Sequence, residues 1–425
     1  MTENEFVSKI QKINGRVFLV GGYVRDLLQK KVPKDRDYVI TGVTEETFKI
    51  AFSDSEKVGN SFPVYLVEID NEKCEVAFAR KERKVGTGYH GFKTSFTSDI
   101  TIEDDLYRRD TTMNSIALEL PDRILIDPYN GKEDIENKIV RATSKHFRDD
   151  PVRALRAARQ ATQHGFTIDK ATIKLMNLCK EELRAEPTER VFAEMEKALK
   201  SNKPSLFFRY LKQADILDIT FPEIYNLIGK IHSTVHHPEG DAFEHSMEIL
   251  DYVSQRSTDI ITRFCALVHD IGKGETPIEM LPHHYEHEKR GLDIIDTWNS
   301  RMTLPVKWLK SAKYIIKNHM KLPVMKKIGK IVQLLMEADK LSISLEDIGI
   351  VLEADRTNSG RKVSYLPIYL QKNSISTIVE QLKSIKGDSA PDRIQGKAVG
   401  EWLLNRRAEL LRIFINRKNQ WLKTD

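Results

Sequence analysis

Cysteine is nearly absent. Cys74, Cys179 and Cys265 are the only three in 425 residues, scattered, with no CxxC pair and no even framework. That sets a disulfide scaffold aside and fits a reducing cytoplasm, with the thiols as small core residues. No run of about 18 apolar residues occurs anywhere, so no membrane span is expected. The opening MTENEFVSKI lacks the apolar stretch of a secretory signal. Internal repeats and low-complexity tracts are missing too, which sets repeat architectures aside. Neither sign of charge dominates: 67 Lys and Arg face 62 Asp and Glu, for a net charge of +5. A small basic excess fits an anionic partner, although clustering counts for more than the total. What remains is a highly charged globular chain, 30% charged and 40% hydrophobic, long enough for two to four domains.

Within it, VFLVGGYVRDLLQKKVPKDRDYVI (17–40) reads as a strand, a Gly-Gly turn, a short helix and a second strand carrying Asp35 and Asp37. Residues i and i+2 on a strand share a side, so the two carboxylates are expected to project together. Carboxylates gather Mg²⁺, and backbone N–H groups at a helix start gather phosphate. Gly22 lets backbone approach phosphate closely, and Arg25 reaches the same oxygens. Glu75, in CEVAFAR, is a candidate third carboxylate. These parts suit metal-dependent nucleotidyl transfer from a nucleoside triphosphate. A lone Asp-x-Asp also fits an exposed edge strand, and Glu75 an exposed strand position.

Strand patterns extend through FPVYLVEI (62–69) and ILIDP (124–128), and from about 141 onward the pattern is helical. The fold class is therefore α+β, with a mixed head followed by all-helical regions. We divide the chain into a head (1–140), a helical neck and body (141–226), a histidine-rich region (227–355) and a helical, basic tail (356–425). Residues 81–104, rich in Gly, Lys and Thr, read as an exposed loop or a mobile basic segment near the site.

Two further stretches bear on chemistry. LYRRDTTMNSIAL places Arg108, Arg109 and Asp110 at an expected helix start, with Asp110 as N-cap and Arg109 as a contact to triphosphate or ribose. Asp150, Arg153, Arg156 and Arg159 recur every three residues along one expected helix. A solvated charged face is one reading. The other is base selection: a carboxylate accepts from the exocyclic amine of C or A, and a guanidinium donates to their ring acceptors. Guanine and uracil present a carbonyl there instead.

His245 lies in an expected helix, and His269-Asp270 in an apolar helix ending near Gly272; His283, His284 and His287 follow. Imidazole and carboxylate together suit a divalent transition metal.

In order, GGYVRDLL, KDRDYVI, RRDTTMNSIA, DDPVRALRAARQATQHGF and ERVFAEMEKAL resemble a bacterial class II CCA-adding tRNA nucleotidyltransferase. The resemblance implies a polymerase-β-like head, and neck, body and tail helices that grip tRNA. It implies Mg²⁺ on Asp35 and Asp37. It also implies CTP and ATP contacts at Gly22, Arg25, Arg109, Asp150, Arg153, Arg156 and Arg159, and a flexible loop within 81–104. Asp149 stands where the family usually has Glu, and Thr111-Thr112 where an apolar residue then Thr is commoner. The histidine pattern resembles the HD phosphohydrolase domain. That implies a Ni²⁺ or similar site on His245, His269, Asp270, His287 (or His284) and Asp355, with Asp339 as the alternative last acid. Some related enzymes add only CC, some only A, and some are poly(A) polymerases. An HD phosphohydrolase with an accessory head, and a tRNA-binding module without catalysis, are the rival readings.

Overall fold

The structure is a computed structural model and describes residues 1–58, 63–84, 86, 92–231, 240–358 and 366–421. The chain forms two compact units, one of Met1–Met195 with Leu206–Thr220, the other of Glu196–Ser205 with Phe221–Asp425.

The first unit is built on a seven-stranded sheet. Its strands are β1 (Arg16–Val20), β2 (Asp37–Thr41), β3 (Glu56–Val58), β4 (Val64–Ile69), β5 (Glu72–Phe78), β8 (Ala117–Leu120) and β9 (Ile124–Ile126), in the order β3-β4-β5-β2-β1-β8-β9. β6 (Lys81–Lys84) and β7 (Phe92–Ser95) form a separate antiparallel pair. Central strands read as continuous apolar runs because both faces are covered. Phe18, Val20 and Val39 pack with Ile102 and Leu106 on one face. On the other, Tyr38 meets Phe6 edge-on, and Phe48 stacks on Phe52. Within this seven-stranded sheet all pairs are antiparallel except β2 with β5, which sets Asp37 directly beside Glu75.

Four local expectations are corrected. β2 starts at Asp37, so Asp35 precedes the strand instead of sharing its side. Arg108 and Arg109 follow the helix Ile102–Tyr107 rather than opening one, and Asp110 is no helix cap. The arginine helix starts at Arg153; Asp150 lies before it in an extended conformation, ahead of Pro151. In the second unit the apolar helix ends at Val268, so His269 and Asp270 stand at the break before a 3₁₀ turn. Part of the Gly/Lys-rich segment becomes the β6–β7 pair; residues 85 and 87–91 between those strands lie outside the described residues, as do 232–239 and 359–365.

Unit two is helical. Ala242–Ser254, Ile260–Val268, His287–Met302, Val306–Asn318 and Leu345–Asn358 pack together, and the ring of Phe264 on the second of them meets Trp298 at 5.6 Å and Trp308 at 5.0 Å. Gly272 sits so close to the His287 and Gly291 backbone that any Cβ would overlap it. That contact seats the His269–Asp270 break against the start of the helix bearing His287.

Candidate active sites

A cavity of about 630 Å³ opens in the first unit. The sheet supplies Asp37 and Glu75, the turn into the helix after β1 supplies Gly21 and Gly22, and the helical segment supplies Asp150, Arg153, Arg156, Arg159, Arg190 and Glu194. Gly21 has φ +67°, and a Cβ there would meet Arg109 Nη1 at 3.4 Å and Asp37 Oδ2 at 4.0 Å. The turn thus brings bare backbone beside both a cation and a carboxylate. Asp37 opens onto the cavity, but partial withdrawal from water and repulsion from Glu75, then Asp35, raise its carboxyl pKa against the opposing pull of Arg109. A donor set in mutual repulsion fits a cation that would relieve it. Asp35 is exposed and does not line the cavity.

The arginines are held by carboxylates and amides. Arg25 donates to Asn114 Oδ1 at 2.9 Å, and Arg109 to Asp105 Oδ2 at 2.9 Å. Asp105 is fully buried; burial pushes its pKa up, but Arg108 and then Arg109 outweigh this and hold it well below the usual range. Glu82, on β6, accepts from Arg80 at 2.7 Å and Arg108 at 3.0 Å. Asp110 accepts from Arg156, Gln160 and Asn114, and its carboxyl too is held low.

Asp150 and Arg153 both line the cavity, and the Arg153 N–H donates to the Asp150 carbonyl at 3.0 Å, but their side chains are held by different partners. Asp150 accepts from Arg190 through both oxygens, at 2.8 and 3.1 Å. Arg153 donates to the His146 carbonyl at 2.6 Å. Arg159 is engaged by Glu194 and by Gln163.

In the second unit, His245, His269, Asp270 and Asp355 bring ligand atoms within 4.8 Å of one another. Asp270, His287 and His319 form a second such set. Asp270 is 1% exposed, and Lys273 Nζ stands 2.5 Å from its Oδ2. Burial raises its carboxyl pKa, but Lys273 and then His269 hold it far below the ordinary value. Asp355 is the acid at this centre; Asp339 instead pairs with Lys383 at 3.1 Å. His284 also stays out, bonded between Thr276 and the Ile231 carbonyl. His287, expected in one set with His245, belongs to the second.

Residues 17–141 match the Poly A polymerase head domain, 165–227 a probable RNA and SrmB-binding site of polymerase A, and 242–344 the HD domain. The multifunctional CCA protein of Acinetobacter baumannii (strain ATCC 17978) is 36% identical over 408 residues, covering 94% of this chain and 98% of that protein. The chain belongs to the multifunctional CCA protein family. A CCA-adding enzyme solved with ATP shares the fold at TM-score 0.63 and 22% identity, over 96% of this chain and 89% of that one. The Thermotoga maritima CCA-adding enzyme complexed with tRNA-CCA does so at TM-score 0.62 and 21% identity, over 96% and 90%. For a multifunctional CCA protein, the polymerase head and the HD domain both imply dependence on divalent metal ions. Among the described residues no helix is long and apolar enough to cross a membrane.

Sequence reading missed several members of these sites. Arg190 and Glu194 lie on the helix Thr188–Leu199, Asn114 follows the RRD segment, and Glu82 sits on β6. His319 ends the amphipathic helix Val306–Asn318, and a polar NH pair after YIIK was its only sequence signal.

Proposed function

We propose that this chain adds C, C and A to tRNA 3′ ends from CTP and ATP without a nucleic-acid template. We propose too that its HD domain hydrolyses phosphoesters, including 2′,3′-cyclic phosphates and 2′-nucleotides. The observation that carries the first reading is the single cavity joining Asp37 and Glu75 to Asp150 and Arg153. In it, a phosphate-facing glycine turn and a base-reading pair share one space.

The tRNA 3′-hydroxyl oxygen forms a bond to the α-phosphorus, the bond to the leaving oxygen breaks, and pyrophosphate departs. The hydroxyl proton passes to solvent or to a carboxylate. Asp35 and Asp37, with Glu75 beside them, would hold Mg²⁺. Those ions supply charge neutralisation at the attacking and leaving oxygens. Gly22 leaves room for phosphate against the backbone. Arg25 and Arg109 face the triphosphate, already oriented by Asn114 and Asp105. Asp150 accepts from the exocyclic amine of C or A, and Arg153 donates to the ring acceptor. Their separate anchors, Arg190 and the His146 carbonyl, fix the two edges that a base would meet. Arg156 and Arg159 add positive charge. Basic helices downstream contact tRNA phosphates, so binding weakens with salt.

In the HD domain, His245, His269, Asp270, His287 and Asp355 would hold Ni²⁺ or another divalent transition metal. The four-region division assigns transfer to the head, base choice and tRNA grip to the neck and body, hydrolysis to the HD region and further grip to the tail. Three buried cysteines, none of them in a disulfide, support work in a reducing cytoplasm.

The test offers tRNA ending before, within and after CCA, with CTP and ATP separately and together, and 2′,3′-cAMP with Ni²⁺ or Mn²⁺. Ordered C, C, A addition is expected. Incorporation of A alone onto tRNA ending in CC would mark an A-adding enzyme, and long A tracts a poly(A) polymerase. No incorporation on any tRNA would overturn the transferase reading. Failure to hydrolyse any phosphoester would overturn the HD reading.

A further inference from the structure

The loop that leads into the helix His287–Met302 carries side chains that the hydrolase reading leaves unused. Ile278, Met280, His283 and Tyr285 are all exposed, Tyr285 by 63%, so apolar and aromatic groups stand in water beside a buried centre. His283 and Tyr285 bring their rings together, with centroids 5.5 Å apart and planes 21° from parallel. Such near-parallel rings form an offset stack, and at its exposure Tyr285 keeps a ring face uncovered. A single exposed apolar residue needs no explanation. What sets this pair apart is its mounting.

His284, between the two, is held at both ring nitrogens. Its Nε2 donates to the Ile231 carbonyl at 3.1 Å, and its Nδ1 pairs with the Thr276 hydroxyl at 2.8 Å. Thr276 Oγ1 also accepts from Arg290 Nη2 at 3.1 Å, and Arg290 Nε donates to the Gly272 carbonyl at 3.3 Å. The His284 carbonyl in turn accepts from His287 Nδ1 at 2.8 Å. The residue that separates the stacked rings thus orients a residue of the histidine centre. Glu286, at φ +58°, turns the chain between Tyr285 and His287. Two residues of chain reach at most about 7 Å. An open aromatic face is therefore fixed close to a centre that suits phosphoester hydrolysis.

We propose that Tyr285, backed by His283, stacks on the nucleobase of the phosphoester that the HD domain hydrolyses. The substrate class is a nucleoside with its phosphate on the 2′ or 3′ oxygens, so that base and phosphate lie one ribose apart. A free nucleotide and an RNA 3′ end share that chemistry. Stacking uses a π face that every base has, so nucleosides are preferred with little choice among bases. This rests on the HD hydrolase reading and adds to it what separates nucleosides from other phosphoesters.

The test compares the full-length chain with Tyr285→Ala and Tyr285→Phe on three substrates. They are 2′,3′-cAMP, a tRNA ending in a 2′,3′-cyclic phosphate, and methyl riboside 2,3-cyclic phosphate, which has the sugar and the phosphoester but no base. In Tyr285→Ala, KM for 2′,3′-cAMP should rise about tenfold, the scale of one base–aromatic stack. Its kcat, and hydrolysis of the base-free ester, should be unchanged. Tyr285→Phe keeps the ring face and should match the parent. A KM rise on the tRNA as well extends the platform to RNA ends, and a rise on 2′,3′-cAMP alone assigns it to free nucleotides. Equal losses on 2′,3′-cAMP and the base-free ester would overturn the proposal, since Tyr285 would then be acting through His287. No change on any substrate would overturn it too, with the HD reading left standing. No hydrolysis of any of the three by the parent would overturn both.

Discussion

The two centres solve opposite problems. In the nucleotidyl-transfer cavity the carboxylates stand open: Asp35 is exposed and Asp37 faces the space. Among the described residues they form no set of three within ligand reach. Its arginines are held on Asp105, Asp110 and Glu194. At the histidine centre every imidazole is nearly or fully buried, and ligand atoms already lie within 4.8 Å. A cavity that must admit a triphosphate and an RNA end, and then release pyrophosphate, gains from completing its metal site only when substrate brings oxygens. A buried centre closed by its own side chains can keep its ions between turnovers. The difference separates metal delivered with substrate from metal held by the fold.

The sharpest way to break that contrast is a pair of variants. Asp37→Ala should lower CTP and ATP incorporation by on the order of 10³-fold, the scale of losing a preorganised electrostatic contact. Hydrolysis of 2′,3′-cAMP should be unchanged. His269→Ala should do the reverse. After treatment with EDTA and desalting, Mg²⁺ alone should restore incorporation at once, while hydrolysis waits for Ni²⁺ or Mn²⁺. Loss of both activities in either variant would mean the centres are not independent.

The next test asks how much of the cavity's order lies beneath its surface. Asp105 is fully buried and holds Arg108 at 2.5 Å and Arg109 at 2.9 Å. Asp105→Asn leaves both guanidiniums undercompensated and should cost about 3–5 kcal/mol by denaturant midpoint, the range for breaking a buried pair. With Arg109 unseated, KM should rise for CTP and ATP alike. The carboxyl's folded pKa lies below its ordinary 3.8. Its contribution is therefore present above that value and lost as pH falls through the lower folded one. In the Asn variant that part of the acid sensitivity should vanish. Equal KM values in variant and parent would show that Arg109 does not depend on this seat.

How much could be read from sequence followed the range of the interactions. The Gly-Gly turn, Asp37 and the His269-Asp270 pair are local patterns, and the structure puts all of them at a site. Asp355 and Asp339 both sit in Glu-Ala-Asp tripeptides, and only packing separates them: one meets His245, the other Lys383. Pairing across long separations left no trace. Glu82 and Arg108 are 26 residues apart, Asp150 and Arg190 are 40, Asp110 and Arg156 are 46. The three-residue spacing suggested that Asp150 shares one helix with Arg153. It misled because Pro151 favours an extended residue before it, which holds Asp150 out of the helix.

That displaced carboxylate yields a milder test, on base choice alone. Arg190→Ala removes the partner that fixes Asp150, a charge-assisted contact worth roughly tenfold or somewhat more. Incorporation of UTP or GTP relative to CTP should rise by about that factor, with kcat for CTP falling in step. Arg190→Lys should recover only part, because an ammonium does not reproduce a planar donor against both oxygens. Selectivity unchanged in Arg190→Ala would show that Asp150 does not depend on Arg190 for its orientation.

The smallest effect goes to the heart of the contrast, because it concerns the cavity with no metal present. Partial burial and repulsion from Glu75 and Asp35 raise the Asp37 pKa. A carboxyl raised in the folded state binds protons more readily folded than unfolded. Stability therefore falls as pH climbs from the unfolded value through the raised folded one, and the penalty is complete at neutral pH. Asp37→Asn removes the charge and keeps the shape. Measured without divalent metal at pH 7, its Tm should be slightly above that of the parent, and the gap should close as pH drops to about 4, near the ordinary carboxylate value. Adding Mg²⁺ should raise the Tm of the parent and not that of the variant, since only the parent has repulsion for the ion to relieve. A parent more stable than Asp37→Asn in EDTA would mean that Arg109 already neutralises the site, and that the cavity is as complete on its own as the histidine centre.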